Sequence, residues 1–120
     1  MINVKYNPAE YSLEVTGHAG AGPQGHDIIC AAASMLTYTL AAMLTETGGM
    51  EEEILQDEEN AVFRAKANPD ILHMYPGRII YDTIVTGFEG LAKTHPEAVA
   101  LEVFIEEEIE EGPEDEEEEE

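Results

Sequence analysis

The chain contains one cysteine, Cys30, and four histidines. Asp27 stands three residues before the cysteine and Ser34 four residues after it. Asp27 followed by an apolar run has the chemistry of a helix N-cap, which places Cys30 in the first turn of a helix. There the free backbone N–H groups and the positive end of the helix dipole favour a thiolate, and a thiol of lowered pKa is a nucleophile near neutral pH. His18 lies on a glycine-rich segment that leads to the same helix end. An imidazole brought to the sulfur supplies a general base that becomes a general acid for a departing amine. The chemistry of such a pair is acyl transfer, peptide hydrolysis included. Ser34 shares a helix face with Cys30 and can orient a substrate. Asp27 can cap the helix, orient an imidazole, or both. The Cys30 N–H is the first candidate donor to an oxyanion.

The same residues admit other uses. A lone cysteine in an alanine-rich helix buries like a small hydrophobe. A glycine-rich segment often only connects elements, and a helical serine often bonds a backbone carbonyl. His26, Cys30, His18 and Asp27 are all zinc-ligand types, but a structural zinc site usually supplies several cysteines, so no metal or cofactor is expected. His26 itself has three open roles: surface residue, substrate contact or alternate partner of Cys30. His73 and His95 fall near the two ends of a second helix and read as surface residues.

The elements that must position these groups follow from periodicity. Ile2, Val4 and Tyr6 alternate, as do Tyr11, Leu13 and Val15, with Asn7-Pro8-Ala9-Glu10 between them. This predicts an antiparallel hairpin. Four glycines and a proline within residues 17–26 predict a loop. From Ile28 to about Glu46 the pattern is helical and apolar nearly all round, through Ile29, Ala32, Met35, Leu36, Leu40, Met43 and Leu44. A helix of that kind is buried on most faces, in so small a protein partly by a second subunit. Gly48-Gly49 ends it. Residues 50–56 and 61–67 suggest a second strand pair, the first of them rich in glutamate. Pro76 falls in the first turn of a second helix that carries Ile80, Ile84, Phe88 and Leu91 to about Thr94. Residues 98–105 form a last strand. The order ββαββαβ predicts an α+β fold, a mostly antiparallel sheet covered by two helices.

Composition narrows the function. The 120 residues, 43% hydrophobic, suit one domain with a modest core. No apolar run approaches the ~20 residues of a membrane-spanning helix. The N-terminus lacks a basic stretch followed by an apolar one, so no signal peptide is expected. One cysteine excludes an internal disulfide, and the expected compartment is the cytoplasm. The net charge is −22, and residues 106–120 hold twelve of the 27 acids. Residues 1–105 are therefore expected to form the domain, and 106–120 a disordered acidic tail. The remaining 15 acids still outnumber the five bases. Such a surface repels phosphate, which speaks against direct nucleic-acid binding, and favours a basic protein or peptide partner.

Gly17-His18-Ala19, seven further residues, and then Asp27-Ile28-Ile29-Cys30-Ala31-Ala32-Ala33-Ser34 resemble the signature of the ribosomal-processing cysteine protease (Prp) family. The order of strands and helices over residues 1–105 is similar too. The resemblance implies a dimeric α+β cysteine endopeptidase that removes a short N-terminal extension from the bacterial ribosomal protein L27. It implies Cys30 as nucleophile, His18 as base, and Asp27 and Ser34 in support. The loop from Ala19 to His26, with Gly20, Gly22 and Gly25, would gate or bind the substrate peptide. The glutamate-rich tail departs from the family pattern. The alternative to an enzyme is a non-catalytic acidic dimer that holds a basic ribosomal protein or assembly factor without cutting it.

Overall fold

The computed structural model describes residues 1–20 and 27–105. Gly22, Gly25, His26 and the acidic segment from 106 onward lie outside the described residues. Strand β1 (Ile2–Asn7) turns through a 3-10 segment (Pro8–Glu10) into β2 (Ser12–Thr16). Helix α1 (Ile28–Thr47) follows, then the hairpin β3 (Met50–Asp57) and β4 (Val62–Pro69). A second 3-10 turn (Ile71–His73) leads into α2 (Met74–Thr94), and β5 (Val99–Val103) closes the fold. The sheet order is β3-β4-β2-β1-β5, with β1 and β5 parallel and every other pair antiparallel. The α2 helix is the crossover that a parallel β5 requires, since parallel strands cannot be joined by a tight turn. Both hairpins, both helices and the mostly antiparallel sheet agree with the sequence expectation.

Alternation decides which face meets the helices. Ile2, Val4 and Tyr6 are buried, as are Leu13, Val15, Phe63, Ala65 and Ala67, while Lys5, Arg64 and Lys66 look outward. On that outer face Arg64 pairs with Glu14 across the strands at 3.0 Å. The helices cover the inner face and pack on each other. A Cβ on Gly87 would stand 2.7 Å from Leu36, so α2 carries a glycine where α1 comes closest.

Three expectations are corrected. Tyr11 does not extend β2: it ends the 3-10 turn in the left-handed region at φ 51°, and its ring turns edge-on to Tyr81 at 6.2 Å. Pro76 lies in the first turn of the second helix, which begins at Met74, as expected, and the Asp70 carboxylate caps the 3-10 turn before it by accepting the His73 N–H. The second correction is His73, expected as a surface residue: it is half-buried, with its ring 2.6 Å from Asp70. The third concerns α1. Its 20 residues, with a mean hydropathy of 1.8 over 18 of them, are long and apolar enough to cross a membrane by those measures. Ser34, Thr37 and Thr39 interrupt the apolar run without ending its apolar character. Within the chain only one face is buried, by Ile29, Ala33, Thr37, Leu40 and Leu44. Ile28 (76% exposed) and Met35 (65%) are left uncovered, so the apolar residues all round it are not matched by burial all round.

Candidate active site

The site forms where β2 ends and α1 begins. β2 runs into Gly17, whose φ of +95° no other residue adopts easily, and a Cβ there would strike the Met1 carbonyl. Gly17 N–H donates to the Ala61 carbonyl at 2.9 Å, which ties the segment to the β3–β4 turn. The next residue, His18, is exposed. Ala19 is buried again and anchors the far side of the segment with its methyl group.

Asp27 caps α1 as its residue type requires. Its Oδ1 accepts the backbone N–H of Ile29 and of Cys30, both at 3.0 Å. Its own carbonyl accepts the Ala31 N–H at 3.1 Å. Cys30 is half-buried in the first helical turn, and its Sγ accepts the Ala19 N–H at 3.3 Å. This one bond joins the Gly-His-Ala segment to the nucleophile candidate across eleven residues of sequence.

Cys30, His18, Asp27, Ser34 and Gly20 line one cleft of about 590 Å³. The structure thus brings together every described residue that the sequence singled out. Ser34 is exposed one turn beyond Cys30, on the cleft wall. Among the described residues, no hydrogen bond joins His18 to Cys30. The thiol lies above its ordinary range rather than below it. Burial is the main cause, the Asp27 carboxylate adds to it, and the Ala19 N–H acts the other way. The expectation of a depressed thiol is corrected for a physical reason. The cap that creates the helix start also brings a negative charge beside the sulfur, and burial opposes ionisation.

Sequence reasoning missed four further residues of the cleft lining. Tyr38 of α1 and Gln56, Asp57 and Glu58 at the β3–β4 turn also line the cleft. Tyr38 donates its hydroxyl to Glu58 at 3.0 Å, and Asp57 accepts the Asn60 N–H at 3.1 Å. No local pattern marks these residues; strand pairing alone carries a turn twenty-seven residues downstream of Cys30 to the cleft. The cleft therefore offers a thiol and an imidazole together with the carboxylates of Asp27, Asp57 and Glu58. Thiol and imidazole are the residue types of covalent acyl transfer.

The sequence profile described as Cysteine protease Prp matches residues 1–100. Among solved structures, an essential ribosomal processing protease Prp from S. aureus, in complex with a covalently linked product peptide, aligns with a TM-score of 0.76 at 20% identity. That alignment covers 87% of this chain and 100% of the other. The same S. aureus protease in complex with a substrate peptide aligns at 0.71 with 19% identity, over 87% and 100% of the two chains. SMU.848 from Streptococcus mutans aligns at 0.66 with 26% identity, over 85% and 90%. No curated protein sequence matches significantly. With its fold shared and its sequence matched from Met1 to Ala100, the chain belongs to the cysteine protease Prp family and is a peptide hydrolase.

Proposed function

We propose that this protease removes the short N-terminal extension of the large-subunit ribosomal protein L27 in the cytoplasm, with Cys30 as nucleophile and His18 as general base and acid. The observation that carries the proposal is that Cys30 and His18, from separate elements, line one open cleft in a chain of this family. The S. aureus relatives, a ribosomal processing protease seen with a substrate peptide and with a covalently linked product peptide, support the substrate class. The carboxylates of Asp57 and Glu58 on the cleft wall suit the basic residues of a ribosomal protein.

The chemistry runs as follows. In the free protein burial and the Asp27 carboxylate favour the neutral thiol. A bound peptide fills the cleft and brings His18 to the sulfur, since hydrogen bonds of this kind often tighten only in the complex. Sγ attacks the scissile carbonyl carbon as its proton passes to His18. The tetrahedral species collapses to a thioester, and His18 gives its proton to the leaving amine. Water, deprotonated by His18, then releases the acid and restores the thiol. Asp27 fixes the first helical turn and thereby the position of Sγ. Ser34 lies where it can bond the peptide.

We place a second copy of the chain against the uncovered apolar residues, among them Ile28 and Met35 of α1. A core-type helix with only 28% of its apolar window buried supports a homodimer. Light scattering should report twice the 13.2 kDa of one chain.

The test of the substrate is direct. The protein and its Cys30→Ala variant are incubated with the host's own L27 precursor, and products are read by intact mass. One N-terminal truncation, made only by the unaltered protein, is expected. An L27 precursor left whole at every enzyme concentration under reducing conditions would overturn the assignment of substrate.

A further inference from the structure

A cysteine peptidase needs donors for the oxygen that becomes negative when the carbonyl is attacked. The residue type and position of Cys30 make its own N–H the first choice. The structure removes that choice: the Cys30 N–H and the Ile29 N–H are both held by Asp27 Oδ1 at 3.0 Å. A donor already engaged by a carboxylate is not available to an oxyanion without breaking the helix cap.

Another backbone N–H does point at the sulfur. The Ala19 N–H donates to Cys30 Sγ at 3.3 Å. The oxyanion is bonded to the carbon that Sγ has attacked, so it sits two bonds from Sγ. A useful donor stands about 2.7–3.1 Å from that oxygen. A group that touches the sulfur at rest, between the cleft-lining His18 and Gly20, needs only a small shift to reach it. The donor is also held in place beforehand. The Ala19 methyl is in the core, and Gly17 is locked by its bond to Ala61 and by its positive φ. Donors fixed before reaction cost no reorganisation at the moment of charge development.

We propose that the backbone N–H of Ala19 is an oxyanion donor of this enzyme. As Sγ bonds to the carbonyl carbon, the π pair of the C=O moves onto oxygen, and the Ala19 N–H exchanges its bond to sulfur for a bond to that oxygen. Collapse returns the pair to the C=O as the C–N bond breaks and the amine takes its proton from His18. The Gly-His-Ala segment then has three separate tasks: a turn at Gly17, a base at His18 and a donor at Ala19. The assignment rests on Cys30 being the nucleophile, but not on the identity of the protein substrate.

The test replaces one atom. A synthetic thioester of residues 1–29, with the Ala19 N–H changed to an ester oxygen, is ligated to a fragment of residues 30–120 through Cys30 itself. The all-amide chain is assembled in the same way. Each is treated with p-nitrophenyl acetate, whose transfer to sulfur passes through an oxyanion, and with iodoacetamide, whose reaction does not. The acetylation-to-alkylation ratio is expected to be higher in the folded amide chain than in the same chain in urea. In the ester chain, with a native circular dichroism spectrum, it is expected to fall by about tenfold or more. A folded amide chain whose ratio equals its urea value overturns the assignment without any variant. So does a folded ester chain with the parent ratio, or one in which both rates fall equally, which would confine the N–H to the sulfur. An amide chain whose Cys30 reacts with neither reagent at any pH at which the chain stays folded, alkaline pH included, overturns the nucleophile itself as well.

Discussion

Two places where a helix meets this sheet are built on opposite rules. Around Tyr81 of α2 the contact is closed. Tyr81 is fully buried, stacks on Tyr6 with ring centres 6.1 Å apart, and donates its hydroxyl to the Ala65 carbonyl. Tyr6 in turn donates to Asp82 at 2.7 Å, and Arg78 pairs with the same carboxylate at 3.2 Å. At the start of α1 the contact is open. Cys30 is only half-buried, His18 and Ser34 face a cleft, and among the described residues the sulfur accepts the Ala19 N–H alone. The first region spends its polar groups on one another and holds the fold together. The second leaves them toward the cleft, where a substrate can use them.

Substitutions should separate the two regions cleanly. Cys30→Ala should lower peptide cleavage by at least about 10⁴-fold while the thermal midpoint hardly moves. A cleavage assay beside a melting curve checks both halves, and lost stability would blur the contrast. Tyr81→Ala should do the reverse, costing about 3–5 kcal/mol by urea titration through the loss of a large buried ring. Tyr6→Phe keeps the ring stack and removes the bond to Asp82; about 1–2 kcal/mol is expected, since one partner is charged and part-exposed. On the open side, Asp57→Asn with Glu58→Gln should raise KM for a lysine- or arginine-bearing peptide several-fold and leave kcat alone, in line with exposed charges worth about 0.2–1 kcal/mol each. An unchanged KM would detach the acidic wall from substrate choice.

The smallest expected effect tests the sign of the thiol shift. Burial and the Asp27 charge both hold the Cys30 thiol up. The alkylation-versus-pH profile of the free enzyme should therefore have its midpoint above the ~8.5 of an ordinary cysteine. Asp27→Asn keeps a capping oxygen and removes the charge, so it should move that midpoint down. The same shift affects stability. The unfolded chain, with the lower thiol pKa, ionises first, so this contribution is whole below the ordinary thiol value and is lost as pH rises through the folded one.

Much of the fold was legible in local pattern. Alternation at Ile2, Val4 and Tyr6, the cap at Asp27 and the stop at Gly48-Gly49 each state their structure within a few residues. The glutamates of β3 gave a weaker signal because β3 is an edge strand, exposed along most of its length, where charge is tolerated. The left-handed Tyr11 was hidden because its alternation with Leu13 and Val15 mimics a longer strand. In the site, Cys30, His18, Asp27 and Ser34 could be named because their spacing along the chain is short. Their electrostatics could not, since burial and the orientation of the Asp27 carboxylate arise only on folding. The Ala19 N–H was invisible because a backbone group carries no sequence signature. Asp57 and Glu58 were missed because only the β3–β4 pairing brings them to the cleft.

The central claim is that Cys30 attacks the peptide carbonyl in this cleft. It is tested most directly by mixing enzyme with an L27-derived peptide, quenching in acid over milliseconds to seconds, and mapping adducts by mass. An adduct of the N-terminal fragment on the peptide that contains Cys30, formed before the free fragment appears and absent from the Cys30→Ala protein, is the expected result. Cleavage by the Cys30→Ala protein at the full rate, with no adduct on Cys30 at any time, would contradict it.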